Sequence, residues 1–175
     1  IVGGAARGRR LRVPDTGTRP TSDRAREAIF SSLESLRGPW AGAVALDLYA
    51  GSGALGLEAL SRGAARVDLV ESERAATRVL EANAAAVEGA DGVDGSAQVH
   101  AMTVQRWLAR RVGESSSGGS SSGGSSSGRY DVVFCDPPYA APAEEVAVVL
   151  TALRGALADS AALVVERSHR STPWV

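Results

Sequence analysis

A short apolar run, Val44 to Leu48, leads into Tyr49-Ala50-Gly51-Ser52-Gly53-Ala54-Leu55-Gly56. The run has the length of a buried strand, and Leu55 to Ser61 opens a helix. Strand, glycine turn and helix in immediate succession commit this stretch to a β-α unit whose backbone comes close to a nucleotide-like ligand. Gly51, Gly53 and Gly56 suit such a turn, because a Cβ there would strike the ligand or forbid a positive φ. The next apolar run, Arg66 to Val70, ends in Glu71, a carboxylate placed to accept hydrogen bonds from a ribose diol. These features suit NAD and the adenosine of S-adenosylmethionine equally, so the stretch by itself leaves the cofactor open.

The chain keeps alternating around this unit. Strands are predicted over 43–48, 66–71, 97–100, 130–135 and 161–166. Helices are predicted over 54–62, 73–87, 103–112 and 142–154, the second capped by Ser72. Repeated β-α units imply an α/β fold, Rossmann-like, with a mainly parallel twisted sheet, helices on both faces and right-handed crossovers. Ligands of such sheets sit outside the carboxyl ends of the strands, near the switch in strand order. The Ser/Gly stretch 113–128 joins a helix to a strand, on the far side from those ends. It is expected to be a flexible insert without a catalytic role.

With 175 residues, one full core is expected. No apolar run approaches the ~18 residues of a membrane span. The single cysteine, Cys135, excludes an internal disulfide framework and fits a reducing compartment such as the cytoplasm. Charge is uneven. Residues 1–40 hold eight arginines against four acids, so the remainder of this chain of net charge −1 is acidic. Clustered guanidinium groups suit a polyanion, because their forks match phosphate bidentately. Ile1 to Val13 reads as a Gly- and Arg-rich hairpin ended by Pro14 and Gly17. A helix then opens near Arg19, with Thr21 or Ser22 as cap and Ile29, Leu33 and Leu36 as its buried stripe. Arg7, Arg9, Arg10, Arg19, Thr21, Arg24 and Arg26 are the candidate polyanion contacts, Arg24 and Arg26 because they fall off that stripe. The expected organisation is a basic, substrate-facing extension, 1–40, on a cofactor-binding domain, 41–175.

The strand Tyr130 to Cys135 ends in Asp136-Pro137-Pro138-Tyr139. The lone pair of an exocyclic base amine is delocalised into its ring, which makes the nitrogen a poor nucleophile. The Asp136 carboxylate and the Pro137 carbonyl can each accept one of its N–H groups, drawing the nitrogen towards tetrahedral geometry. The prolines fix the backbone and bring no competing N–H. Tyr139 offers a face for the base, a stacking contact worth ~1–3 kcal/mol. A methyltransferase acting on an amino group needs this quartet, and a dehydrogenase does not.

Asp136 to Tyr139 is the amino-methyltransferase motif. Together with Asp47-Leu-Tyr-Ala-Gly-Ser-Gly-Ala-Leu-Gly and Arg19-Pro-Thr-Ser-Asp-Arg-Ala-Arg-Glu it resembles the bacterial RsmD family, over Ile1 to about Glu166. The resemblance implies a class I S-adenosylmethionine-dependent methyltransferase that modifies the N2 amine of a guanine in small-subunit (16S) ribosomal RNA. It further implies that Asp47, Tyr49, Gly51, Ser52 and Gly53 cradle the methionine part of the cofactor. Glu71, with Ser72 beside it, would hold the ribose; His100, Ala101 and Met102 would line the adenine; Asp136, Pro137, Pro138 and Tyr139 would carry catalysis. No metal is implied. The implied partner is ribosomal RNA or a small-subunit assembly particle, met by a cytoplasmic monomer with no membrane attachment.

His100 stands where that family tends to carry Asn or Asp, and the Ser/Gly stretch is atypical. The family's final antiparallel strand pair is also missing, so the sheet edge after the fifth strand is expected to be exposed. The competing readings are an adenine N6 methyltransferase sharing the same motif, an NAD-dependent oxidoreductase, and an RNA-binding protein that keeps only the cofactor fold.

Overall fold

The computed structural model describes residues 1–14, 22–116, 129–138 and 141–166, with 112–116 as backbone only. The elements in order are α1 (Asp23–Arg37), β1 (Val44–Leu48), α2 (Gly56–Ser61), β2 (Arg66–Glu71), α3 (Arg74–Glu88), β3 (Ser96–Ala101), α4 (Val104–Ser116), β4 (Tyr130–Cys135), α5 (Ala143–Leu153) and β5 (Leu157–Val165). The five strands form one sheet of order β3-β2-β1-β4-β5, and every pairing is parallel.

Both faces of this sheet are covered, which is why its strands are apolar runs rather than alternating ones. Ala45, Val67, Leu69, Val132 and Phe134 pack towards α1, α2 and α3 through Phe30, Leu57 and Leu80. Leu46, Leu48, Val70, Val133 and Cys135 pack towards α4 and α5 through Trp107, Leu108 and Val149. The strand direction changes sides of β1: the chain first winds outward to β2 and β3, then returns to place β4 on β1's other edge. A crevice opens at such a switch because neighbouring connections leave in opposite directions.

Several boundaries differ from the sequence-based expectation. Ser72 does not cap α3; the Glu73 carboxylate does, accepting from the Ala75 and Ala76 N–H groups at 3.0 and 2.6 Å. Helix α4 runs to Ser116, so the first Ser residues continue a helix; residues 117–128 of the expected insert lie outside the described residues. Strand β5 begins at Leu157, because Leu157 pairs with Tyr130 before a register shift brings Ala162 opposite Val132.

The first eight residues form turns, not the expected hairpin. The Val2, Gly3, Ala5 and Ala6 N–H groups are spent on α2 and not on a strand ladder. The buried Glu58 carboxylate accepts from Val2 and Gly3 at 2.8 and 2.7 Å. Ser61 takes Ala5 N–H on its carbonyl at 2.8 Å and Ala6 N–H on its hydroxyl at 2.9 Å. The approach is so close that a Cβ on Gly4 would lie 1.9 Å from the Ser61 carbonyl oxygen.

In α1 the Ser22 hydroxyl is the cap, accepting from Ala25 N–H at 3.2 Å. Its inward stripe is Arg26, Phe30 and Leu33. Leu36, expected inside, is 81% exposed. The ring of Phe30 sits 5.1 Å from Trp40 and 5.6 Å from Phe134, and this aromatic contact decides which face turns in. Arg26 is therefore not free to meet phosphate: it is buried, paired with Asp23 and 3.6 Å from a Glu58 carboxylate oxygen.

Candidate active site

Strand β1 ends between β2 and β4, with Leu48 opposite both Val70 and Cys135. The turn that follows carries three positive φ values, Tyr49 at 62°, Gly51 at 54° and Gly53 at 81°. Only glycine adopts such angles without strain, so Tyr49 is held there by its surroundings. A Cβ on Gly51 would meet nothing closer than 4.0 Å, so that side of the turn is open. A Cβ on Gly53 would strike Leu80 and Leu57 at 2.6 and 2.8 Å. Gly56 has a different job from the one expected of it. Its missing Cβ lets α2 lie on the sheet, where a methyl would come 2.4 Å from Leu69 Cδ2.

Two carboxylates hold this turn. Asp47 Oδ2 accepts from Gly56 N–H at 2.8 Å. Glu71 Oε2 accepts from Gly51 N–H at 2.9 Å, while its Oε1 accepts from Ser72 and Glu73 N–H, each at 2.7 Å. Asn83 of α3 was not foreseen. Its amide donates to the Ser52 carbonyl and to the Arg12 carbonyl, both at 2.9 Å, and so ties the N-terminal arm to the glycine turn.

Asp136 follows β4 directly, its N–H 3.4 Å from the Leu48 carbonyl oxygen. The Asp136 turn and the glycine turn thus leave adjacent strands side by side. Pro137 is buried and Pro138 exposed; Tyr139 lies outside the described residues, as do Arg19 and Thr21. Burial pushes the Asp136 carboxyl up to about 6, with the Glu166 charge adding to the rise. Burial pushes Asp47 up to about 7; the Gly56 hydrogen bond opposes this, and the charges of Asp136 and Glu71 reinforce it. The Cys135 thiol between them is raised to about 12, chiefly by burial, and is no nucleophile.

Beside these groups lies a cavity of about 300 Å³ at the carboxyl ends of the strands. Of the residues singled out from sequence, Tyr49, Glu71, Ser72, Met102 and Pro138 line it. Gln105 and Glu145 line it too, and they hydrogen-bond across it at 2.6 Å, joining α4 to α5. Neither was foreseen, although each sits in the first turn of a helix just past a strand's carboxyl end. His100 lies apart from these residues. Its side chain faces α4 with Asp68 and Trp107, Nε2 standing 2.8 Å from Asp68 Oδ1, and it lines a different cavity. Strand alternation explains this: His100 shares its face of the sheet with Gln98 and not with Ala101. Arg7, Arg9, Arg10 and Arg24 are exposed.

A parallel sheet with a glycine turn after its central strand, an acid after the next strand and an Asp-Pro-Pro turn after the neighbour on its other edge defines a methyltransferase of the Rossmann-like class. Known proteins agree. A putative methyltransferase from Escherichia coli superposes with a TM-score of 0.74 at 37% identity, covering 100% of this chain and 84% of that one. A putative methylase from Haemophilus influenzae superposes with a TM-score of 0.67 at 26% identity, covering 100% and 84%. In sequence, ribosomal RNA small subunit methyltransferase D of Escherichia coli is 38% identical over 167 residues, 95% of this chain and 73% of that protein. The Haemophilus influenzae protein of the same name is 32% identical over 95% of this chain and 77% of its own length. The family model described as Conserved hypothetical protein 95 matches residues 1–174. The chain belongs to this family, the RsmD family that its motifs resemble.

Proposed function

We propose that this protein is an S-adenosylmethionine-dependent enzyme that methylates the exocyclic N2 amine of a guanine in small-subunit ribosomal RNA. One observation carries the choice of cofactor: three carboxylates, Asp47, Glu71 and Asp136, lie around the glycine turn; burial raises Asp47, with the charges of Asp136 and Glu71 adding to the rise, and burial raises Asp136, with the Glu166 charge adding. Such a centre attracts a cation and repels a pyrophosphate. It suits the sulfonium and ammonium of S-adenosylmethionine and disfavours NAD. Tyr49, Met102 and Pro138 give the neighbouring cavity the apolar walls an adenosine needs, and Glu71 stands at its edge for the ribose. When bound, the cofactor supplies an electrophilic methyl group.

The chain's own residues then do three things. The glycine turn and the carboxylates orient the donor. The Asp136 carboxylate and the Pro137 carbonyl accept the two amine N–H bonds and hold the nitrogen lone pair on line with the donor. Pro138 and the buried Pro137 keep that carbonyl fixed. Most of the acceleration comes from positioning two reactants in a dry site. A base must leave its stack to reach the turn, and exposed Arg7, Arg9, Arg10 and Arg24 grip the RNA backbone around it. The enzyme acts as a cytoplasmic monomer on ribosomal RNA or a small-subunit assembly particle, through a basic extension, 1–40, on the catalytic domain.

Asp136→Ala tests the assignment. Cofactor binding should persist within a few fold while methyl transfer, followed by nucleoside mass spectrometry, falls by at least a hundredfold. Turnover near the normal rate would remove Asp136 from the mechanism, and N6-methyladenosine as product would move the activity to an adenine.

A further inference from the structure

We propose that Asn83 of α3 is a positioning residue that couples the N-terminal arm to the glycine turn, so that RNA held on the arm and S-adenosylmethionine held by the turn strengthen each other's binding. The inference rests on the function proposed above. Asn83 is buried, and its side-chain amide meets two segments far apart in the chain. Its Oδ1 accepts from Arg12 N–H at 2.9 Å, and its Nδ2 donates to the Arg12 carbonyl and to the Ser52 carbonyl, each at 2.9 Å. Two carbonyls face the nitrogen and one N–H faces the oxygen, so the amide fits this place in one orientation.

A buried amide costs stability unless its polar atoms are satisfied. The buried stripe of α3 is otherwise Ala76, Thr77, Leu80, Ala84 and Val87. The Thr77 hydroxyl turns back to the Glu73 carbonyl at the helix's own cap, at 2.9 Å, whereas all three Asn83 bonds leave the helix. At the turn, the amide fixes a peptide plane. Asn83 holds the Ser52 carbonyl, and the N–H at the other end of the same peptide, that of Gly53, donates to the Ala50 carbonyl at 2.7 Å. Leu80, one turn before Asn83 on the same face of α3, backs Gly53, where a Cβ would strike it at 2.6 Å. The glycine turn is therefore braced from behind by α3, and Asn83 supplies the polar part of that brace.

On its other side Asn83 is an anchor of the arm. Glu58 holds Val2 and Gly3, Asn83 holds Arg12, and exposed Arg7, Arg9 and Arg10 lie between these anchors. With the arm docked, the Asn83 amide is gripped from both sides, and the Ser52–Gly53 peptide with it. When Arg12 lifts away, Oδ1 loses its donor, the amide is free to rotate and the turn loses its brace. Two arrangements of one side chain thus link the arm to the turn. A ligand that favours the docked arrangement at one end favours it at the other, and the linkage is reciprocal.

Limited trypsin digestion of the whole chain, with and without S-adenosylhomocysteine, reads the arm directly, because Arg9 and Arg10 lie between its anchors. The ligand should slow cleavage there about fivefold or more in the wild type. In Asn83→Ala it should still bind, as measured by calorimetry, and leave that cleavage unchanged. Small-subunit ribosomal RNA should tighten S-adenosylhomocysteine about fivefold or more in the wild type, and that factor should fall to about one in Asn83→Ala. A side chain that only stabilises the fold would alter both affinities without altering the factor between them. Wild-type protein that binds the ligand while its arm is cut at the same rate overturns the coupling without recourse to any variant. An equal slowing in Asn83→Ala, or RNA that binds and leaves the ligand's affinity unchanged, overturns it too. Wild-type protein that fails to bind S-adenosylhomocysteine at all overturns the function proposed above and the coupling with it.

Discussion

Replacing Asp47 by Asn should make the cofactor-free protein more stable and the cofactor weaker to bind. The Asp47 side chain is buried, and its carboxyl is moved from the ordinary 3.8 to about 7. Each tenfold change in proton affinity is about 1.4 kcal/mol, so the buried charge costs up to about 4 kcal/mol once fully ionised. Because the folded-state value is raised, the native state holds the proton more tightly than the unfolded chain. Stability is therefore lost as pH rises from about 4 through about 7, and the loss is complete above that. Asn has the same shape, carries no charge, and its Oδ1 can still accept from Gly56 N–H. Asp47→Asn should thus match wild type near pH 4 and exceed it near pH 8 by up to about 4 kcal/mol, roughly 5–15 °C in melting temperature. The same variant removes a counter-charge for the sulfonium and ammonium groups, which should weaken S-adenosylmethionine by about ten- to a hundredfold. Thermal and urea unfolding at both pH values, with calorimetric titration of the cofactor, measure the two effects. A variant less stable than wild type at pH 8, or one that binds the cofactor equally well, would refute the electrostatic account of this turn.

The pH profile of the enzyme follows from Asp136. Its carboxyl, raised to about 6, must be ionised to accept an amine N–H, so kcat/KM should fall tenfold per pH unit below about 6 and level off above it. A profile flat down to pH 5 would exclude the role. Gly56→Ala should cost about 1–3 kcal/mol in urea unfolding, because its methyl would press on Leu69, Val67 and Asp47. Glu58→Gln removes the charge that buried Arg26 and half-buried Arg62 share, while Asp23, Glu27 and Glu34 still pair with them, and weakens the acceptor of the Val2 and Gly3 N–H groups; it should cost about 1–3 kcal/mol. It should also loosen the N-terminal arm, seen as faster tryptic cleavage at Arg7, Arg9 and Arg10; unchanged cleavage would show that the arm is held otherwise. Changing those three arginines to Gln together should lower the salt slope of RNA binding by about 2.

Much of the sheet was legible because burial on both faces writes strands as continuous apolar runs. The runs at 44–48, 66–71 and 130–135 needed no partner to be recognised. The arm was misread for a related reason. Val2, Leu11 and Val13 look like a hairpin, but nothing local reveals that Glu58 and Ser61, some 55 residues later, will take the arm's backbone hydrogen bonds. Arg26 went wrong the same way. Its position in the stripe is set by Phe30 meeting Trp40 and Phe134, a contact between distant segments.

The order of residue types along the chain was enough to determine the β-α alternation, the glycine turn with its following acid, and the Asp-Pro-Pro-Tyr turn. These depend on backbone angles and on side-chain chemistry within a few positions. Only the tertiary structure decided which strands are neighbours, and therefore that Asp47, Glu71 and Asp136 share one electrostatic field. It alone turned His100 away from the cavity at the strand ends and gathered Arg66, Arg110 and Arg111 around another. Proximity between segments comes from packing many side chains at once, and desolvation and charge coupling act across that packing.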